Sequence, residues 1–265
     1  MKVENHFASD KAQSLLLADG LVGFDQLWSL EASWFEEPNK RRGGWSGVSR
    51  YQLHDGTLVF IKRQENHFCR DWRSLFRQIP TFRREFKNIL TFQKHGIPTL
   101  EPIYFGQRTV HGKVQAILVT KALHGFQSLE SPEYQSLSKL ELLRRANLVS
   151  ALGETIKRMH DSHFQHNCLY AKHVFIKINP DLTVEVRLID LEKAKRSFFR
   201  RTAMLRDLGT LHRHTKGWRS SDRLRFLLAY TQECRMSYAS RAILAHVLGE
   251  TREKTAMARE VREIH

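Results

Sequence analysis

Hydrophobic and polar residues alternate over 48–53 and again over 57–63, and the residues between these runs, His54-Asp55-Gly56, are turn formers, so the pattern predicts a β-hairpin. The period then changes. From Thr81 onward Phe82, Phe86, Ile89 and Leu90 recur at helical spacing until Gly96-Ile97-Pro98 stops the run. Two more strand-like runs, around Ile103 and over 114–120, complete a β-rich first half. After Ser131-Pro132 the pattern turns helical. Ser138-Lys-Leu-Glu141 is a capping-box sequence ahead of a long helix with Val149, Leu152, Ile156 and Met159 on one face, closing near His160. A loop over 161–172 leads to short strands over 174–177 and 184–189, separated by Asn179-Pro180-Asp181, and helices fill the remainder. The expected fold class is α+β in two lobes acting as one functional unit: a β-rich N-terminal lobe over about 1–123 and a mainly helical C-terminal lobe over about 124–265.

Composition keeps this picture globular, since 41% of the 265 residues are hydrophobic and 10% aromatic. Charge narrows the partners. Lys and Arg number 43 against 28 Asp and Glu, and the resulting +15 favours anionic partners: nucleotide phosphates, nucleic acid, anionic lipid or a phosphorylated glycolipid. The dispersed cysteines Cys69, Cys168 and Cys234 form neither a disulfide framework nor a zinc motif, which suits a reducing compartment. The first residues hold no apolar signal core, and no run approaches the roughly 18 apolar residues of a membrane span. A cytoplasmic location is therefore expected, with peripheral contact at the cytoplasmic face of an inner membrane as its extension.

Several polar residues sit where the pattern asks for apolar ones. Lys62 shares a strand face with Leu58 and Phe60, and Glu85 lies between Phe82 and Ile89 on the apolar side of its helix. Each alone reads as a snorkelling surface charge. Together they read as one pair, the arrangement in which a strand lysine binds nucleotide phosphates while a helix glutamate holds it. Gly43, Gly44 and Gly47 precede the hairpin and would let the backbone lie close to phosphates, although a plain turn explains them equally well. Asp190 ends the alternating run Val184, Val186, Leu188, where a carboxylate suits a metal ion. Arg70, Arg73 and Arg77, set against Trp72, Leu75, Phe76 and Ile79, make a basic amphipathic face if the segment is helical, either packed on the small lobe, resting on anionic lipid or holding a phosphorylated glycolipid.

The run His166-Asn167-Cys168-Leu169-Tyr170-Ala171-Lys172-His173 resembles the H-R-D-C-Y-x-x-H loop of the InaA/WaaP family of lipopolysaccharide kinases, matching at His166, Tyr170 and His173. Leu188-Ile189-Asp190-Leu191-Glu192 resembles that family's metal-binding turn, and Arg206-Asp207-Leu208-Gly209 its helix whose aspartate braces the catalytic loop. Arg42-Gly43-Gly44-Trp45-Ser46-Gly47-Val48 is similar to InaA-type members, and with Lys62 and Glu85 the ordered set spans about 43–211. The resemblance implies a protein-kinase-like fold that uses ATP and Mg²⁺ and phosphorylates a lipopolysaccharide inner-core sugar, heptose or Kdo. It assigns phosphate contact to Lys62, its orientation to Glu85, and metal binding to Asp190 with His173. One residue departs from the pattern. Cys168 stands where the family carries the aspartate that accepts the substrate proton, and a neutral thiol is a poor acceptor; Asp161 and His166 are the nearby substitute bases. The competing expectations are a pseudokinase that binds a nucleotide or glycolipid as a stress-linked interaction module, and a basic nucleic-acid-binding protein, which no reading motif supports.

Overall fold

The predicted hairpin lies in the middle of a larger sheet. The computed structural model describes residues 3–41, 43–70, 78–135, 137, 140–215 and 217–249, and the chain divides into two units: Met1–Thr91 with Leu100–His124, and Phe92–Thr99 with Gly125–His265. The first carries β1 (Val3–Phe7), α1 (Asp10–Leu17), α2 (Phe24–Ser29), β2 (Trp34–Arg41), β3 (Gly44–Gln52), β4 (Leu58–Glu65), β5 (Phe68–Arg70), β6 (Gln78–Pro80), most of α3 (Thr81–Lys94), β7 (Pro102–Val110) and β8 (Lys113–Lys121). Six strands form one antiparallel sheet in the order β1-β7-β8-β4-β3-β2.

Successive strand residues face opposite ways, so β4 sends Val59 and Ile61 to one side and Phe60 and Lys62 to the other. The first side is the deep core, where Ala12, Leu16, Phe24 and Leu27 from α1 and α2 pack with Val59, Ile61, Ile103 and Ile117. The second is covered by α3, whose Phe86 stacks on Phe105 at 5.2 Å. Lys62 thus lies on the face opposite the deepest packing, and the apolar residues it was grouped with, Leu58 and Phe60, are only half-buried. Leu90, expected on the buried face of α3, is 38% exposed, while Ile89 and Phe92 are fully buried.

Pattern reading missed β1, α1, α2 and β2. The strands are sheet edges of mixed polarity, Val3-Glu-Asn-His-Phe7 and Trp34-Phe-Glu-Glu-Pro-Asn-Lys-Arg41, and β2 also holds Pro38 and two register shifts, so neither shows a clean period of two. The basic amphipathic segment expected over 70–79 lies largely outside the described residues; β5 and β6, which pair with each other, flank it.

The second unit carries β9 (Gln127–Ser128), α4 (Pro132–Gln135), α5 (Leu142–Asp161), β10 (Phe164–Gln165), β11 (Val174–Ile178), β12 (Val184–Leu188), β13 (Lys195–Arg196), α6 (Arg200–His214), α7 (Ser220–Thr231) and a helix over 238–249. The face read for α5 is its buried face: Val149, Leu152, Ile156 and Met159 are all 0% exposed. Gly153 lets α7 approach, since a Cβ there would stand 2.7 Å from the Phe226 carbonyl oxygen. The capping box does not form as read. Glu141 itself occupies the N-cap and its side chain caps nothing, and Ser138 lies outside the described residues.

Where α6 meets α7, His212 Nδ1 lies 2.5 Å from Arg223 Nη1. Burial, then the charges of Arg223 and Arg213, push the imidazole from its usual 6.5 down to about 4. The unfolded chain therefore takes up a proton near pH 6.5 that the folded one refuses, and the stability from this site, full above pH 6.5, is lost as pH falls from there to about 4. Urea midpoints measured across that window should decline with acid, and His212→Gln should flatten the decline; an unchanged slope would contradict the assignment.

Candidate functional site

In the first unit, Lys62 is placed by β4 and Glu85 by α3. The link between these elements is Gln64, fully buried two residues after Lys62. Its Oε1 accepts hydrogen bonds from Thr81 Oγ1 at 2.7 Å and from the Phe82 backbone N–H at 3.1 Å, which caps the first turn of α3 in the manner of an N-cap side chain. Glu85 follows one turn later, and Lys62 Nζ donates to its Oε1 at 2.7 Å. The lysine also lies 5.9 Å from the Phe82 ring centroid. The glutamate side chain is 2% exposed and that of the lysine 19%. Burying an ion pair costs desolvation that its attraction only partly offsets, so the pair is weak evidence for stability and better evidence that the ammonium is being held in place.

The glycines divide. A Cβ at Gly44 would stand 2.3 Å from the Asn66 carbonyl oxygen, and one at Gly47 2.8 Å from the Trp34 ring. Both glycines are thus required by packing of the chain on itself. Gly43 has φ +76 and open space around its Cβ position, so it serves the turn from β2 into β3.

In the second unit, the loop over 166–173 is organised by Asp207 of α6, 1% exposed. Its carboxylate accepts the backbone N–H of His166 at 2.6 Å and of Asn167 at 3.0 Å. Asn167, at φ 64, bends the chain through the left-handed region and donates from Nδ2 to the Lys193 carbonyl at 2.9 Å. Behind Asp207 stand His160 Nε2 at 3.3 Å and, through His160 Nδ1 at 2.9 Å, the Tyr230 hydroxyl. Burial, the largest cause, raises the Tyr230 phenol. No local sequence signal points to His160 or Tyr230, since their connection to the loop is made only by the packing of α5, α6 and α7.

His173 Nδ1 donates to the Cys168 carbonyl at 2.8 Å, and its Nε2 faces Asp190 Oδ2 at 3.1 Å. With Nδ1 committed as a donor, Nε2 either carries a second proton toward the carboxylate or offers its lone pair to a cation shared with it. Asp190 itself sits at φ 57, ψ 57, in the left-handed region that a short polar side chain such as Asp tolerates better than most, and so turns the chain out of β12. β12 delivers it: Leu188 is anchored through its N–H to the Pro98 carbonyl and through its carbonyl to Thr99 Oγ1. Among the described residues no group of three metal-ligating side chains occurs. Asp190 supplies the oxygen a hard divalent cation prefers and His173 a nitrogen beside it, so the pair fits such an ion only with phosphate and water oxygens completing its shell.

The candidate bases fare unequally. His166 is 0% exposed, burial pushes its imidazole below the usual value, and neither ring nitrogen reaches a hydrogen bond of full geometry, although the Ile189 backbone lies close. His166 is thus closed off from solvent in this conformation and packs the loop, stacked against His173. Asp161, at the end of α5, is engaged by Lys157 at 2.5 Å and by Arg200. Cys168 is 5% exposed. Burial raises its thiol, and the Lys193 ammonium beside it acts in the opposite direction. Lys193 escaped the sequence reading, although it stands three residues after Asp190.

Comparison with known proteins gives a consistent picture. Residues 25–230 match the Lipopolysaccharide kinase (Kdo/WaaP) family. The chain is 31% identical over 193 residues to Protein InaA of Escherichia coli K12, a match covering 72% of this chain and 87% of that protein. Among solved structures, WaaP in complex with acyl carrier protein superposes with a TM-score of 0.65 at 20% identity, covering 97% of this chain and 99% of the other, which shows a shared fold.

Proposed function

We propose, for a chain that belongs to the lipopolysaccharide kinase (Kdo/WaaP) family, that it transfers the terminal phosphoryl group of ATP to a hydroxyl of a lipopolysaccharide inner-core sugar, heptose or Kdo. The observation that carries the reading is the buried Lys62–Glu85 pair at 2.7 Å, built by a helix that Gln64 caps. Lys62 would contact nucleotide phosphate and Glu85 would hold its ammonium in place. Asp190, with His173 beside it, would hold a divalent cation such as Mg²⁺, which supplies neutralisation of phosphate charge when bound. The acceptor oxygen attacks the terminal phosphorus, the bond to the bridging oxygen of ADP breaks, and the hydroxyl proton must leave. By the resemblance of its loop to the family pattern, Cys168 would stand where that proton is received. A thiol raised by burial accepts poorly, and this favours the second reading, a nucleotide- or glycolipid-binding pseudokinase with little turnover. No helix among the described residues is long and apolar enough to cross a membrane.

Nucleotide binding is testable apart from turnover. Mg²⁺ and ATP at ~100-fold over Kd should raise the thermal midpoint by about 5–10 °C. The double variant Lys62→Met/Glu85→Gln, which leaves no carboxylate buried alone, should lose that rise. An unchanged midpoint in the parent at millimolar nucleotide would remove the kinase reading and the nucleotide-binding form of the second, leaving a glycolipid-binding module.

A further inference from the structure

We propose that the segment joining β13 to α6 is a docking surface for an anionic membrane. Phe198 and Phe199 are 84% and 79% exposed, among the most exposed large hydrophobic residues described. Adjacent phenylalanines displayed this openly are uncommon on a soluble surface and mark a contact site. The neighbouring cations Lys195, Arg196, Arg200 and Arg201 are all exposed, and no carboxylate falls within 195–201. Arg200 is paired with Asp161 and Arg196 lies 5.9 Å from the Phe164 ring. Lys195 and Arg201 make no ion pair among the described residues.

The display is held from a firm base. Before the phenylalanines, β13 pairs with β10, and the Ser197 N–H donates to the His163 carbonyl at 2.8 Å. After them, the Phe199 carbonyl receives the Ala203 N–H at 3.1 Å and starts α6. The two exposed rings therefore sit on a short stretch fixed at both ends and flanked by positive charge. Rings that enter the boundary between headgroups and acyl chains, with cations on either side reaching anionic headgroups, are the chemistry of a peripheral membrane contact. A protein partner would need a pocket for each ring, and a nucleic acid would need unstacked bases; a fluid anionic interface needs neither, and it matches the +15 charge of the chain.

This inference rests on the proposed lipid-borne acceptor only for its purpose, and its test uses no nucleotide, so a failure of phosphotransfer leaves it standing. The full chain is floated with vesicles of phosphatidylethanolamine and phosphatidylglycerol, and in parallel with phosphatidylcholine alone. The expected result is binding to the anionic vesicles that weakens with salt, and a loss of roughly tenfold or more in Phe198→Ser/Phe199→Ser. Since both rings are exposed, that variant should keep the parent thermal midpoint. The charge variant Lys195→Glu/Arg201→Glu should bind more weakly at low salt and merge with the parent at high salt. Unaltered vesicle binding by the phenylalanine variant would overturn the proposal. So would a parent that ignores the anionic vesicles; its retention on immobilised polyglutamate through the same phenylalanines would then assign the patch to an acidic protein.

Discussion

Cys168→Asp is expected to raise phosphotransfer by ~10²–10⁴-fold, the range typical of a positioned general base. The thiol is buried and pushed up by that burial, so near neutral pH it holds its proton and cannot receive another. An aspartate there would meet the acceptor hydroxyl as a carboxylate. A carboxylate placed alone in a buried loop would cost several kcal/mol, but Lys193 stands beside the position and would pair with it. The variant should therefore lose much less stability than an unpaired buried charge implies, and its midpoint is to be measured alongside transfer. A marked loss of stability with no gain in transfer would instead place Cys168 in a loop that has left catalysis. Parent activity that survives Cys168→Ala unchanged would show that the proton departs by another route.

Asp207→Ala should destabilise the fold by about 2–6 kcal/mol, because the His166 and Asn167 N–H groups would each lose their acceptor at about 1–3 kcal/mol apiece. His160 would lose its carboxylate partner as well. Tyr230→Phe, which removes only the outermost bond of this network, should cost about 0.5–1.5 kcal/mol. Urea unfolding of the variants measures both values. A loss for Asp207→Ala within the ~0.5 kcal/mol usual for surface changes would mean that Asp207 does not hold the loop.

What the sequence disclosed follows from where the signal was local. Lys62 and Glu85 were legible because each breaks the apolar pattern of its own element, and the structure brings them to 2.7 Å. Asp190 was legible as the polar end of the Val184–Leu188 alternation. The Gln64 cap, the Lys193–Cys168 proximity and the His160–Tyr230 chain were not, because each joins residues on different elements without disturbing either pattern. The glycines were open to two readings for a related reason. A sequence shows the missing Cβ but not what would fill its place, and at Gly44 and Gly47 that is the protein's own backbone and the Trp34 ring. His166 looked like a candidate base by position and proved to be sealed. The exposure of Phe198 and Phe199 was invisible as well, since an apolar pair beside a helix start reads as ordinary core until its surroundings are known.

The most direct test is the transfer assay run on the parent chain: labelled terminal phosphate from ATP with Mg²⁺, offered to purified core-oligosaccharide lipid, beside Asp190→Ala. Incorporation into the lipid by the parent, slow because of Cys168, is expected, with none above background by Asp190→Ala. Incorporation by the two proteins at the same rate, or none by the parent even after Cys168→Asp, would contradict this expectation.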